Sequence, residues 1–120
     1  MATVLDSSMN IKQDVPVGEL DGMRILQALA DPVRLEIVRQ LARCPDAGEL
    51  PCGGVRVPVT KATASHHFKT LLDAGVIAER REGTRKYLHL RRAELDQRFP
   101  GMIDSVLRAT APPAEPVASA

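Results

Sequence analysis

The sequence predicts a mainly α-helical domain bearing one small β-hairpin, an α+β fold, and three observations predict it. Two upstream segments carry apolar residues at helical spacing. Residues 61–74 form a further helix with both ends marked. Residues 76–90 then switch to an extended pattern broken by a glycine turn.

In chain order, residues 19–30 place Leu20, Met23, Leu26 and Leu29 at three-residue steps, which predicts a helix with one apolar stripe. Asp31 and Pro32 end it and start the next, because Asp is a good N-cap and Pro is preorganised for the first helical position. The helix over 32–43 carries Val33, Ile37, Val38 and Leu41 in a wide apolar arc, which implies burial on most sides. Arg34 falls inside that arc, so it is expected to snorkel or to pair with an acid from a neighbouring element. Residues 44–58, CPDAGELPCGGVRVP, contain three prolines and three glycines and forbid a long helix. After the hairpin a short helix is expected over 93–99, and Pro100 is expected to open a last one carrying Met102, Ile103, Val106 and Leu107.

The helix over 61–74, KATASHHFKTLLDA, holds Ala64, Phe68, Leu71 and Leu72 on one face. Thr60 is its expected N-cap and Gly75 its stop. The opposite face carries Ala62, Thr63, His66, Lys69 and Thr70, short or hydrogen-bonding side chains with no acid before Asp73. A helix that enters a DNA major groove needs such a face: small enough to approach, with donors for base edges and phosphates. An amphipathic surface helix would look much the same; the following segment tips the balance. Glu79 to Tyr87, ERREGTRKY, reads as a hairpin turning at Gly83, with Arg80, Arg81, Arg85 and Lys86 near its tip. A polar-faced helix followed at once by a basic hairpin is the outline of a winged helix.

Charge is segregated in the same way. The whole chain is formally +1, which argues against a diffuse polyanion binder. Residues 61–92 hold eight Lys/Arg against three acids, a net of +5, so the remainder carries −4. That asymmetry is an electrostatic footprint for phosphates. In organisation, 1–18 reads as a flexible segment, 19–108 as one domain and 109–120 as a disordered Ala/Pro-rich tail. A domain this small gains from oligomerisation. No run approaches the roughly 18 apolar residues of a membrane helix. The first 18 residues lack the cationic start and apolar core of a signal peptide, and two cysteines without an export signal suit a reducing cytosol. The expected location is cytoplasmic, on the nucleoid when bound to DNA.

Two stretches, LADPVRLEIVRQLA at 29–42 and TKATASHHFKTLLDAGVIAERREGTRKYLHL at 60–90, together resemble the ArsR/SmtB family of bacterial transcriptional regulators. The resemblance runs from about Glu19 to Leu107. It implies a homodimeric winged helix-turn-helix repressor that binds an inverted repeat in double-stranded DNA and is released by an effector. Residue by residue, it makes 61–72 the recognition helix, with Thr63, Ser65, His66 and His67 in the family's core motif, and 79–87 the wing. DNA contacts are then expected from Thr60, Lys61, Thr63, Ser65, His66, His67, Lys69, Thr70, Arg80, Arg81, Arg85 and Lys86. The first and last helices would form the dimer interface through Leu20, Met23, Leu26, Leu29, Met102, Ile103, Val106 and Leu107. The chain departs from the family in two places. Residues 52–58 replace the regular helix before the recognition helix. The metal-sensing motifs, a Cys-x-Cys pair and an Asp/His/His/Glu set on the last helix, are absent.

Ligand-type residues remain. His66 and His67 lie about 100° apart on one helix and cannot easily chelate a single ion; DNA contact suits His66, and packing or phosphate contact suits His67. Cys44 and Cys52, eight residues apart, leave a thiol switch open beside the more frequent buried free cysteine. No cofactor is needed for the fold, and nickel or zinc stays open as an effector. No phosphate loop, Ser/His/Asp order or Cys-x-x-Cys pair points to an enzyme. The competing readings are a winged-helix module for protein–protein contact and a metal-binding accessory protein.

Overall fold

The computed structural model describes residues 14–44 and 49–111; the expected flexible start and Ala/Pro-rich tail lie largely outside them. Five α-helices and three strands follow a 3₁₀ turn at Val17–Glu19. They are α1 (Gly22–Leu29), α2 (Pro32–Ala42), β1 (Glu49–Pro51), α3 (Lys61–Ala74), β2 (Ile77–Glu82), β3 (Arg85–Leu90), α4 (Arg92–Arg98) and α5 (Met102–Ala109).

The expected local signals act where the residues put them. The Asp31 carboxylate accepts from the backbone N–H groups of Val33 and Arg34, and Pro32 follows at the first position of α2. Thr60 accepts from the Thr63 N–H, and Gly75 ends α3 at φ +83°. Leu20 and Val15 lie so close to Gly75 that a Cβ there would come within 2.5 Å and 3.1 Å of them.

Three expectations are corrected. The hairpin gains a third strand: β1 pairs antiparallel with β3, with Glu49 opposite His89 and Pro51 opposite Tyr87, in the order β1-β3-β2. Three residues, the last of them a proline, carry too little period-2 pattern to announce a strand, and β1 exists because β3 has a free edge for it. The last helix starts at Met102 rather than Pro100, because Gly101 takes φ +79° before it. The stripe of the first helix does not face one way. Each three-residue step on a helix falls 60° short of a turn, so Leu20 to Leu29 would sweep half the circumference. Leu29 joins Ile25 and Ala28 against the core, while Met23 and Leu26 are 63% and 44% exposed.

The core is formed by Ile25, Ile37, Val38, Leu41, Leu71, Val76, Ile77, Leu88, Leu95 and Ile103, which brings all five helices and both long strands together. No α-helix occurs among the described residues between α2 and α3. A 3₁₀ turn at Cys52–Gly54 and an extended stretch stand there instead. Gln40 on α2 holds this stretch in place: its side-chain amide donates to the Arg56 carbonyl and accepts from the Arg56 N–H, at 2.7 Å and 3.0 Å. Cys52, Val55 and Val57 of the same stretch also pack against the core.

Candidate nucleic-acid interface

Most of the residues expected to contact DNA lie on one face of α3 and on the adjoining hairpin; His67 does not. Lys61, Thr63, Ser65, His66 and Lys69 lie along α3, all of them exposed. Thr60 is exposed at its N-terminus, where its hydroxyl also donates to the Thr63 hydroxyl at 3.1 Å. Lys69 is paired with Asp73 at 3.0 Å, and the Thr70 hydroxyl donates back to the His66 carbonyl. These two therefore offer less to a ligand than Thr63, Ser65 and His66. His67 turns inward, its side chain only 12% exposed, and its Nδ1 meets Arg34 Nη1 at 3.1 Å.

The hairpin separates its cations into two groups. Glu82 faces Arg85, leaving Gly83 and Thr84 as a two-residue turn, with φ +64° at Gly83. Arg80 is engaged: it donates to both carboxylate oxygens of Glu49 and to Glu82, and its guanidinium lies 4.6 Å from the centre of the Tyr87 ring. Hydrogen bonding to Arg80 holds the Glu49 carboxyl below its ordinary range, and the same bonds raise Arg80. Arg81 pairs with Glu79 at 3.2 Å. Lys61, Arg85 and Lys86 have no acid within ion-pair reach among the described residues, so their charge is available. Arg80 instead braces the root of the hairpin against β1. Nothing in the sequence pairs Glu49 with Arg80, because β1 carries no strand signal of its own.

Arg34 is half-buried beside a cleft it shares with Asp73, and its charge acts on Asp31 without a direct ion pair. Its Nε donates to the Ala28 carbonyl at the end of α1, and its Nη1 to His67. The cysteines part company. The Cys44 thiol is directed at the carbonyls of Gln40 and Glu49, while Cys52 lines a groove with Ser65, Phe68 and Lys86. Both are free, and burial pushes the Cys52 thiol up, with Glu79 adding to the rise against Lys86. Burial thus disfavours the thiolate that nucleophilic or ligand chemistry at Cys52 would use. Among the described residues no three His, Cys, Asp or Glu side chains converge to hold a metal ion.

The residues expected at a dimer interface also divide. Leu20, Leu29 and Ile103 are 2%, 3% and 0% exposed in a single copy, and have almost no surface left for a partner. Met23 and Leu26 are exposed, Met102, Val106 and Leu107 half-buried. Leu26, Leu35 and Val106 line an open apolar groove between α1, α2 and α5. Among the described residues no helix is long and apolar enough to cross a membrane.

A helix-turn-helix domain model matches residues 29–80, spanning α2, the irregular stretch, α3 and part of β2. The chain is 39% identical over 85 residues to the HTH-type transcriptional regulator YceK of Bacillus subtilis, covering 69% of this chain and 83% of that one. Among solved structures, the homodimeric winged helix-turn-helix DNA-binding domain of a possible ArsR-family regulator from Mycobacterium bovis is 24% identical. It has a TM-score of 0.58, over 90% of this chain and 82% of that one. The transcriptional repressor BigR from Xylella fastidiosa shares the fold at 18% identity and a TM-score of 0.59, over 94% and 99% of the two chains. The helix-turn-helix match, the regulator relative and the winged arrangement of α3 against β2 and β3 agree: the chain belongs to the helix-turn-helix transcriptional regulators, and it carries their domain in a winged form.

Proposed function

We propose that the protein is a homodimeric repressor that binds an inverted repeat in double-stranded DNA. α3 lies in the major groove and the hairpin tip lies along the backbone. The observation that carries this reading is the division of the basic surface. Thr63, Ser65 and His66 are exposed together on one helix, with hydroxyls and a ring nitrogen that can bond base edges. Arg85 and Lys86, at the hairpin tip, are the cations left free to meet phosphates. Lys61 at the helix start adds a further positive charge where the helix N-terminus already favours an anion. Dimerisation through α1 and α5 is supported by the exposed Met23 and Leu26 beside the apolar groove, and by the homodimeric Mycobacterium relative. A nickel or zinc effector has no cluster of three ligand side chains among one copy's described residues.

The test is to sequence duplex fragments retained by the purified protein and to footprint them. Two protected half-sites about 34–36 Å apart, bound by two copies, are the expected result. Binding by single copies, or a preference for single strands, would overturn the reading.

A further inference from the structure

His67 sits on the recognition helix, yet it faces away from the surface offered to DNA. The cap and first turn of α2 meet its ring directly, and α1 is joined to it through Arg34. Arg34 of α2 donates through Nη1 to His67 Nδ1 at 3.1 Å and through Nε to the carbonyl of Ala28 on α1. Asp31, the cap of α2, has Oδ2 3.9 Å from the same His67 Nδ1. An arginine has only donors, so the 3.1 Å contact requires a lone pair on Nδ1, and therefore the neutral ring protonated at Nε2.

We propose that His67 is a positioning residue: in its neutral form it ties the recognition helix to the α1–α2 junction through Arg34, and DNA affinity falls when the ring takes up a proton. This rests on the reading of α3 as the DNA-contacting helix. Protonation turns Nδ1 from acceptor into donor and sets two cations in contact. The tie then breaks. Asp31 is the acid in reach, but its Oδ2 already accepts from the Val33 and Arg34 N–H groups. The ring can gain Asp31 fully only by moving towards it, and α3 moves with the ring. The other charges around the junction are Arg24 of α1 and Asp73 of α3, which share a cleft with Arg34, and Asp73 is paired with Lys69. His66 is the adjacent titratable group, its ring centre 5.9 Å from that of His67. It is exposed on the DNA face, so its protonation adds a cation near phosphate and raises affinity. The two histidines therefore act with opposite sign.

The experiment measures affinity of the full chain for its selected duplex at constant salt, from about pH 8 to about pH 5.5, the range in which histidines titrate. His66→Asn removes the opposing contribution. In that variant affinity should fall about tenfold as pH drops, the size expected when one charge-assisted hydrogen bond is broken. Adding His67→Asn, whose amide oxygen stands where Nδ1 stood but does not titrate, should keep the affinity at pH 8 and flatten the profile. His67→Gln, which reaches towards the Nε2 position instead, should lose affinity throughout. A flat or rising profile for His66→Asn, or an unchanged slope after His67→Asn is added, overturns the proposal. Nitrogen NMR of the wild-type rings checks the tie without DNA or a variant. Nδ1 of His67 must be unprotonated at pH 8, and a proton found there overturns the proposal. If the ring is as stated but no duplex binds at any pH, the DNA reading fails and the claim about affinity falls with it.

Discussion

Replacing Met23 and Leu26 together by alanine should take the dimer apart without unfolding the chain. The two side chains are 63% and 44% exposed in one copy and lie outside its core. Burying a whole Leu or Met side chain contributes about 1.5–3 kcal/mol, so covering the exposed share is worth about 1 kcal/mol for each. A two-fold interface counts each residue twice, giving about 4 kcal/mol per dimer, or roughly a thousandfold in the dimer dissociation constant. Alanine keeps the helix, and exposed positions of this kind change the stability of a single copy by about 0.5 kcal/mol or less. Sedimentation equilibrium across a concentration series reads the dissociation constant, and far-UV circular dichroism confirms that the helices persist. Ile103→Asp is the contrasting variant. Ile103 is 0% exposed within one copy, so its carboxylate would enter the chain's own core and lower the melting temperature. A Met23/Leu26 variant that dimerises as tightly as the wild type would refute this account of the interface.

Further predictions concern the DNA surface and the fold. Lys86→Ala should weaken all duplexes alike and reduce the salt slope of binding by about one, whereas Arg80→Ala, already engaged by Glu49 and Glu82, should change that slope little; fluorescence anisotropy at several salt concentrations decides. Thr63→Ala removes a hydroxyl that can bond a base edge, so it should relax sequence preference by about 1–3 kcal/mol, read by competition between selected and altered duplexes. Asp31→Ala should cost about 1 kcal/mol near pH 7 in chemical denaturation. Burial of Asp31 opposes its charge, but the Arg34 N–H and guanidinium, with His67 and the Val33 N–H, outweigh it and hold the carboxyl below its ordinary 3.8. Its stabilisation is therefore present above that value and lost as pH falls through the lowered one, so the difference between variant and wild type should shrink once pH drops below 3.8. Gly75→Ala should lower the melting temperature, since it combines a left-handed backbone with a Cβ within 2.5 Å of Leu20.

The winged outline is legible because it rests on local signals. Asp31-Pro32, Thr60 and Gly75 mark helix ends by their own chemistry, and the 61–90 stretch changes period within a few residues. Pairing across the chain is not legible. β1 is held by the edge of β3 rather than by its own three residues, and so the Glu49–Arg80 contact comes with the fold. The same holds inside the interface: composition offers Arg80, Arg81, Arg85 and Lys86 as equals, and only the fold shows that two of them are already paired. His67 shows the limit most clearly. Its neighbour His66 points outwards, but 100° of helix rotation carries the His67 ring to Arg34, a residue 33 positions away.

The central claim is that α3 and the hairpin tip grip duplex DNA in a two-copy complex. Its most direct test is one titration: the full chain against its selected duplex, with mass of the complex and affinity read together by sedimentation in increasing salt. Two copies per duplex and an affinity that falls steeply and linearly with the logarithm of salt are predicted. A one-to-one complex, or an affinity indifferent to salt, would contradict it.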